Sequence, residues 1–394
     1  MHSDAELGTP YAVATRLAHF GEEEKVAGAV VHPIFQNSLF VFDRTQDLLN
    51  ALEVDPFGPP HHYSRISNPT VDLLERKLAD LEGTEAAKVV GCGMAAITAA
   101  VMSCLSTGGH VVCPDTAYGP VRTLLNTYLD RFNITVTYVS GRDVDEIIAA
   151  TRENTQLIYL ESPTSALFRM QDIPAVTAFA RSRGIRTVID NTYASPLLMN
   201  PHALGVDLVC HSATKYIGGH SDVTAGVICG TSESIRRIGL RDANFMGNIL
   251  HPFSAWLLTR GLRTIGVRLP VHTHNAQVLA EFLEGQPQVD IVHHLGLASY
   301  PQRDLVTKLM RGTGGLFSFE PKNQSKDAVL DFCDRLQLFQ RGISWGGFES
   351  LVVPIRVSPA DYPEPKWVIR LFCGLEDTED LRRDVERALP ALNG

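Results

Sequence analysis

The sequence predicts an α/β protein with a large domain built on a mostly parallel sheet and a smaller α+β domain after it. Between about residues 68 and 210, short apolar segments alternate with segments of helical periodicity. That pattern is typical of a parallel sheet covered on both faces. After about residue 250 it gives way to a long helical region and isolated strands and helices. The 394 residues also exceed what one core usually supports, which favours two domains.

The first element of the alternating region is a helix. Asn68, Pro69 and Thr70 form a typical helix start because proline is tolerated in the first turn, and apolar residues then recur at helical spacing up to Gly83. After it the sequence predicts strands over 86–93, 110–113, 134–139, 156–160, 186–190 and 206–210. The segments between them predict helices over 94–105, 121–132, 143–154 and 173–184.

The remainder of the chain predicts a smaller unit and an arm. A long helical region over 252–285 precedes strands and helices within 315–320, 327–339, 367–374 and 377–389. We therefore predict a large domain over 61–255 and a C-terminal α+β domain over 256–394. Residues 1–60 have little periodicity, and from composition alone they fit an arm that contacts a neighbouring subunit or an irregular surface segment equally well.

Composition and charge exclude several classes of protein. The net charge of −9 and the lack of a long Lys/Arg run argue against a nucleic-acid partner. The N-terminal residues lack an export signal and no apolar run is long enough to span a membrane, so we expect a cytoplasmic protein. The seven cysteines contain no CxxC and read as reduced core thiols, and the 14 histidines contain no HExxH, so the sequence predicts no metal site.

Polar groups follow the predicted strands where each strand ends. They are Gly91, Cys92 and Gly93 after one strand, then Glu161, Asp190, and the group Ser212, Thr214 and Lys215. Ligands of open parallel sheets bind beyond the carboxyl ends of the strands. A single cleft containing these groups is therefore our hypothesis.

Lys215 lies in an unusual run, "HSATKYIGGHSD" (211–222). A lysine standing alone is most often a surface residue, but here Ser212 and Thr214 offer hydroxyl groups and Gly218 and Gly219 permit close backbone approach. The glycine-rich turn from Gly91 to Met94 offers a second anion site at a helix N-terminus. Neither segment contains GxxxxGK[ST] or a convincing GxGxxG, so nucleotide binding is the weaker interpretation.

A lysine next to a phosphate-binding loop and a carboxylate matches pyridoxal phosphate chemistry. The aldehyde forms a Schiff base with the lysine, and a carboxylate keeps the pyridine nitrogen protonated. Asp190 lies 25 residues before Lys215 (215 − 190 = 25) and is placed to be that carboxylate. Without the lysine loop, Asp190 would read as a turn or capping residue.

Seven motifs in order resemble those of the pyridoxal-phosphate enzymes of cysteine and methionine metabolism. They are "YSRISNPT" (63–70), "GCGMAAI" (91–97), "DTAYGP" (115–120), "LESPTS" (160–165), "VIDNTYASP" (188–196), "HSATKYIGGHSD" (211–222) and "GLEDTEDL" (374–381). The resemblance extends from end to end of the chain. It implies the fold-type I aminotransferase-like fold, with a large mixed or parallel sheet, and a homotetramer of two active dimers with residues 1–60 as an intersubunit arm.

The resemblance also implies roles for individual residues. Lys215 would carry pyridoxal 5'-phosphate, Asp190 would pair with its ring nitrogen, and Tyr118 would stack on the ring. The phosphate would be bound by Gly93 and Met94 amides, by Ser212 and Thr214, and by Tyr63 and Arg65 of the neighbouring subunit. Arg370 would clamp the substrate carboxylate in a two-point fork. Taken alone, Tyr118 reads as a core aromatic and Arg370 as a strand arginine facing solvent.

Within the family the sequence most resembles the cystathionine β-lyase branch. Ser344 and Trp345 in "SWGGFESL" (344–351) and Pro120 after Tyr118 are similar to that branch, whereas many γ-acting relatives carry leucine after the serine. Ser165 replaces the asparagine that usually contacts the cofactor. The implied reaction is β-elimination of L-cystathionine to homocysteine, pyruvate and ammonia. A γ-acting relative, such as a cystathionine or methionine γ-lyase or a γ-synthase, and a non-catalytic α/β protein are the alternatives.

Overall fold

Two β-sheets organise the chain. The computed structural model describes residues 11–23, 25–53 and 57–393. The parts of the predicted arm at residues 1–10, 24 and 54–56 therefore lie outside the described residues, as does residue 394. The first sheet has seven strands and the second has five. No helix in the described residues is long and apolar enough to cross a membrane.

The large sheet is parallel except for one strand. Its strands are β1 (Ala86–Val90), β2 (His110–Pro114), β3 (Thr135–Val139), β4 (Thr155–Glu161), β5 (Arg186–Asp190), β6 (Leu208–His211) and β7 (Gly226–Gly230). Their spatial order is β1-β7-β6-β5-β4-β2-β3. Only β7 runs against its neighbours, pairing antiparallel with both β1 and β6. Glu161 and Asp190 are register partners at the carboxyl ends of β4 and β5.

The second sheet is formed by the C-terminal part of the chain. Its strands are β8 (Val289–His293), β9 (Leu316–Pro321), β10 (Gln340–Arg341), β11 (Leu351–Val357) and β12 (Lys366–Phe372). They lie in the order β10-β11-β12-β9-β8, with every pairing antiparallel except that of β10 with β11.

Helices pack against both sheets. They are α1 (Val13–His19), α2 (Thr45–Glu53), α3 (Pro69–Glu82), α4 (Gly93–Cys104), α5 (Gly119–Thr123), α6 (Val144–Ala149), α7 (Ile173–Ser182), α8 (Ser195–Leu198), α9 (Ser232–Ile238), α10 (Pro252–Glu284), α11 (Arg303–Leu309), α12 (Lys326–Arg335) and α13 (Thr378–Ala388). Shorter helical segments lie at Val26–Gly28, Leu124–Tyr128, Leu129–Phe132, Pro201–Leu204, Gly239–Ala243 and Leu389–Leu392. The predicted start of α3 is confirmed, because the Asn68 side chain accepts a hydrogen bond from the Thr70 amide and Gly83 ends the helix with φ 73°.

Successive residues along a strand of the large sheet pack into two different hydrophobic cores, one on each face. Val89, Ile158 and Ile189 pack with α3 and α7 on one face, whereas Val90 and Tyr159 pack with α4 on the other. Since side chains alternate across a strand, a strand covered on both faces is apolar along its length. The continuous apolar segments of the sequence have this cause, and the predicted fold class is confirmed.

The structure also corrects several predicted elements. The sequence interpretation missed β7, β8, β10 and β11. The range 121–132 is helical as predicted, but α5 ends at Thr123 and is followed by a π-helical and a 3-10 segment. The helix predicted over 143–154 ends at Ala149, where the Thr151 hydroxyl donates to the Ile147 carbonyl. The domain boundaries at 60/61 and 255/256 stay predictions. Helix α10 begins at Pro252 and crosses the second of them.

Candidate functional site

A cavity of about 260 Å³ lies beyond the carboxyl ends of the parallel strands. The loops after β1, β2, β4, β5 and β6 each contribute to its wall, and Arg370 of β12 and Trp345 close it from the C-terminal part. The predicted site residues that line it are Lys215, Tyr118, Asp190, Gly93, Met94, Ser212, Thr214, Arg370 and Trp345. The polar groups that follow separate strands in the sequence thus share one cavity.

The N-terminus of α4 forms an anion cradle in this cavity. Cys92 caps the helix through a 3.4 Å hydrogen bond from the Ala95 amide to its Sγ atom, while the Gly93 and Met94 amides have no partner among the described residues. A Cβ atom on Gly93 would lie 2.7 Å from the Ser212 Cβ atom. Only glycine therefore allows the Ser212 hydroxyl to approach the helix terminus, whose dipole favours an anion.

Lys215 lies in a mixed electrostatic environment. Its Nζ atom donates to the Ser344 Oγ atom at 2.6 Å and lies 5.7 Å from the centroid of the Trp345 ring. Burial lowers the pKa of Lys215 to about 8; the Arg370 charge lowers it as well, and the Asp190 carboxylate opposes both effects. The neutral amine, which a nucleophile or base requires, is therefore far more populated near neutral pH than in an ordinary lysine.

One carboxylate oxygen of Asp190 accepts hydrogen bonds, and the other is without a partner among the described residues. Oδ1 accepts hydrogen bonds from the Thr192 amide, at 2.9 Å, and from the Thr192 hydroxyl. No partner for Oδ2 occurs among the described residues. Burial raises the pKa of Asp190, while the Thr192 hydrogen bonds and the nearby His211 and Lys215 side chains lower it. A cation placed at Oδ2 would keep this carboxyl ionised.

Glu161 lies beside Asp190 and holds two loops of the site. Its Oε2 atom accepts from the Tyr118 amide at 2.7 Å and its Oε1 atom from the Ser165 amide at 2.6 Å. Burial raises the pKa of Glu161 to about 8, with a further contribution from the Asp190 charge. Because it binds the backbone of both segments, Glu161 fixes the position of Tyr118 over the cavity.

Arg370 supplies the second positive charge. It is 8% exposed, and its Nη2 atom donates to the Ile343 carbonyl at 2.7 Å. Burial lowers the pKa of Arg370 to about 10, which leaves the guanidinium charged at neutral pH, and Tyr118 opposes that shift. A buried guanidinium facing a polar cavity suits a carboxylate ligand.

Three predicted residues do not line the cavity. Ser344 contacts it only through Lys215. Tyr63 is 41% exposed, and Arg65 stacks on its ring at 5.3 Å and donates to the Asn244 Oδ1 atom at 2.5 Å. Their predicted contact with a neighbouring subunit's cofactor stays a prediction.

The residues of the cavity fit pyridoxal 5'-phosphate. Two unpartnered amides and a hydroxyl suit its phosphate, the unpartnered oxygen of Asp190 suits its protonated ring nitrogen, and Lys215 has the lowered pKa that an aldehyde-binding amine needs. Sequence reasoning did not give Thr192 or Glu161 a role. The position of Thr192 two residues after Asp190, as in an Asx turn, could have identified it.

Comparison with known proteins gives one family. A family model described as "Cys/Met metabolism PLP-dependent enzyme" matches residues 14–390. An L-methionine gamma-lyase of Pseudomonas putida is 41% identical over 389 residues, which cover 96% of this chain and 97% of that protein. A cystathionine beta-lyase of Lactococcus lactis subsp. cremoris is 37% identical over 391 residues, covering 96% and 99%. The crystal structure of metB from Corynebacterium glutamicum matches with a TM-score of 0.89 at 34% identity, covering 97% and 99%.

Proposed function

Because the chain belongs to the Cys/Met metabolism PLP-dependent enzymes, we propose that it is a carbon–sulfur lyase that cleaves L-cystathionine by β-elimination. The products are homocysteine, pyruvate and ammonia. Its cofactor is pyridoxal 5'-phosphate. The observation that carries the choice of β-elimination is the position of Trp345 beside the amine of Lys215.

The bound cofactor supplies an electron-withdrawing ring that makes the substrate's α-proton acidic. The chain's own residues do the rest. Asp190 keeps the ring nitrogen protonated, the α4 cradle binds the phosphate, and Arg370 binds the substrate carboxylate. The amine of Lys215, with its lowered pKa, removes the α-proton, and Ser344 accepts a hydrogen bond from that amine before it moves to the substrate.

Trp345 favours the removal of one proton over two. In β-elimination only the α-proton leaves before the carbon–sulfur bond breaks, whereas γ-elimination also removes a proton from the β-carbon. The Trp345 ring packs edge-on against Tyr216 with centroids 5.2 Å apart and lies close to the Lys215 amine. A rigid indole at this position limits the movement of the amine away from Ser344, and a base that serves two carbons needs that freedom.

Analysis of the keto acid released from L-cystathionine tests this proposal. Pyruvate with homocysteine supports β-elimination, and 2-oxobutyrate with cysteine contradicts it. We expect Trp345→Leu to raise the ratio of 2-oxobutyrate to pyruvate about tenfold, since the amine gains freedom. Trp367→Leu is the matched control, because Trp367 lies on β12 and does not line the cavity.

Methionine γ-elimination is the second candidate. It is favoured by the 41% identity to an L-methionine gamma-lyase, compared with 37% to the cystathionine beta-lyase. L-methionine incubated with the enzyme would then give 2-oxobutyrate, ammonia and methanethiol. Comparing kcat/KM for L-methionine and L-cystathionine in one preparation decides between the two activities.

We also propose a cytoplasmic homotetramer with shared active sites. Large apolar side chains are exposed along the arm and near it, among them Val30, Val41 and Leu52, and a subunit interface would cover them. All seven cysteines are unpaired, as is typical of a reducing compartment. If Tyr63 completes a neighbour's site, mixing the inactive variants Tyr63→Ala and Lys215→Ala restores part of the turnover after subunit exchange. No recovery in verified mixed oligomers would contradict shared sites.

A further inference from the structure

We propose that Ser221 and Glu349 form a clasp, a side-chain hydrogen bond that holds residues 344–349 against the Lys215 loop (residues 212–225). The clasp thereby sets the positions of Ser344 and Trp345. The clasp itself does not depend on the proposed function; only its expected effect on KM for the thioether substrate rests on that function. It gives a role to two residues of the motifs "HSATKYIGGHSD" and "SWGGFESL" that do not line the cavity.

The clasp is a hydrogen bond between two distant parts of the chain. The Ser221 hydroxyl donates to the Glu349 carboxylate, with distances of 2.6 Å to Oε1 and 2.8 Å to Oε2. Ser221 lies in the loop between β6 and β7 that carries Lys215, whereas Glu349 lies two residues before β11 of the second sheet. A hydrogen bond to a charged acceptor is stronger than one between neutral groups.

The backbone of Ser221 indicates that its side chain is needed. Its φ of 56° lies in the left-handed region, where a side chain is strained and glycine is favoured. Gly219, two residues earlier, has φ 71° in the same turn. A serine retained at such a position costs folding free energy, and its hydroxyl makes the contact with Glu349 that glycine could not.

Residues 344–349 lie directly on the Lys215 loop. A Cβ atom on Gly346 would be 2.8 Å from the Lys215 carbonyl carbon and the Tyr216 nitrogen, and one on Gly347 would be 2.1 Å from the Ser221 Oγ atom. Neither position has room for a side chain. The two glycines therefore allow the close approach, but they supply no side-chain bond to maintain it.

The hydrogen bond between Ser344 and Lys215 cannot hold residues 344–349 against the Lys215 loop throughout turnover. Lys215 must move when its amine serves as a base, and the 2.6 Å bond to Ser344 is then interrupted. The segment's C-terminal end is fixed separately, because the Ser350 amide and hydroxyl each donate to Glu376 at 2.8 Å. On the N-terminal side of Ser344, the Arg370 guanidinium donates to the Ile343 carbonyl. The Ile343 residue itself is 85% exposed. Beside the ring contact of Trp345 with Tyr216, Ser221–Glu349 is a side-chain hydrogen bond between this segment and the Lys215 loop that does not use the reacting amine.

The variant Ser221→Gly tests the clasp without threatening the fold, since glycine relieves the backbone strain at this φ. We expect KM for the thioether substrate to rise about tenfold, the worth of one hydrogen bond to a charged group. We expect cofactor affinity to stay unchanged, because the α4 cradle and Asp190 are untouched. Glu349→Gln keeps a neutral acceptor for Ser221 and should raise KM less than Ser221→Gly does.

A second readout needs no catalysis. The chain has three tryptophans, so Trp256→Phe and Trp367→Phe together leave Trp345 as the sole tryptophan fluorophore. In that background, Ser221→Gly should raise the acrylamide quenching constant of Trp345 about twofold, because the indole is no longer held against Tyr216. The matched control is Ser299→Gly, which removes a serine hydroxyl that donates to Glu284 away from the cavity.

The outcomes separate the clasp from the proposed reaction. Increased quenching and KM in Ser221→Gly, with neither change in Ser299→Gly, supports the clasp, whichever keto acid the enzyme releases. Wild-type quenching and KM in Ser221→Gly contradict the clasp, even if pyruvate is the product. A loss of cofactor affinity equal to the rise in KM also contradicts it, because it would indicate a general disturbance of the Lys215 loop.

Discussion

At Lys215, several neighbours determine the charge of one amine. Burial and the Arg370 guanidinium disfavour the proton, the Asp190 carboxylate favours it, and the resulting pKa is about 8 instead of 10.5. The neutral form is the nucleophile toward an aldehyde. The rate at which the cofactor-free enzyme takes up pyridoxal phosphate should thus rise about tenfold per pH unit below pH 8 and level off above it. Stopped-flow absorbance measures this rate.

The control for this pH dependence is Arg370→Gln. Removing the guanidinium charge removes one of the effects that lower the pKa of Lys215, so the plateau should move to higher pH. An unchanged plateau in this variant, or a rate that keeps rising toward pH 10, would mean that the local charges do not control the amine.

Replacing Lys215 tests its role as the base. Lys215→Ala should lose at least about 10²-fold in turnover, the lower bound for a positioned proton-transfer group. Lys308→Ala is the comparison, because Lys308 forms an exposed ion pair with Asp172 outside the cavity. Keto-acid release measures both. Full turnover in Lys215→Ala would exclude the proposed mechanism.

Among the elements, the N-terminus of α4 packs closely against Ser212. Gly93→Ala would place a Cβ atom 2.7 Å from the Ser212 Cβ atom and push the hydroxyl away from the cradle. We expect cofactor affinity to fall at least about tenfold, because a charge-assisted hydrogen bond to the phosphate is lost. Equilibrium titration of the cofactor-free protein measures it. Gly285→Ala, whose added Cβ meets only the Phe282 carbonyl at 3.6 Å, should bind like the wild type.

The elements also show what the sequence could predict and what it could not. Strands such as β4 and β5 are covered on both faces, so their continuous apolar runs were visible in the sequence. Strand β7 was not, because glycines at both of its ends read as turns. The structure gives the reason for Gly226: a Cβ atom there would lie 2.2 Å from the Cys92 carbonyl oxygen. A contact between segments so far apart in the chain leaves no local signal.

The lack of a local signal for contacts between distant segments also limited the prediction of the site. The polar residues at strand ends predicted Asp190 and Lys215, since the carboxyl ends of parallel strands share one edge. Ser344 and Trp345 lie between β10 and β11, and Arg370 lies on β12 of the second sheet. These three residues could be placed only by family resemblance. Glu161 was visible as a strand-end carboxylate, but its hydrogen bonds to Tyr118 and Ser165 depend on how two loops fold back.

For the whole molecule, the second sheet contains a carboxylate that controls acid stability. Glu320 of β9 is fully buried and accepts from His293 at 2.8 Å, Tyr362 at 2.5 Å and Lys366 at 2.9 Å, with Asp290 facing the same lysine at 3.6 Å. Although burial opposes it, these partners lower the pKa of Glu320 from 4.5 to about 2. A carboxyl with a lowered folded-state pKa stabilises the fold above its unfolded pKa.

This stabilisation amounts to about 3 kcal/mol and should be lost progressively as the pH falls from 4.5 toward 2. Glu320→Gln should unfold more easily at pH 7 by about that amount and should lose part of the acid dependence. Urea unfolding at several pH values and one protein concentration measures both. Glu386→Gln, at an exposed ion pair, should keep the wild-type profile. Equal slopes for Glu320→Gln and the wild type would contradict this assignment.

The order of the site residues along the chain has a consequence for biosynthesis. Within one chain, the groups proposed to bind the cofactor lie between Cys92 and Lys215, and the strand that completes their sheet ends at Gly230, whereas Trp345 and Arg370 come much later. A polypeptide leaves the ribosome N-terminus first, and its domains tend to fold in that order. The part of the cavity proposed to bind the cofactor can therefore assemble while the part proposed to bind the substrate is still being synthesised. A nascent chain at that stage could load its cofactor but could not yet discriminate between substrates.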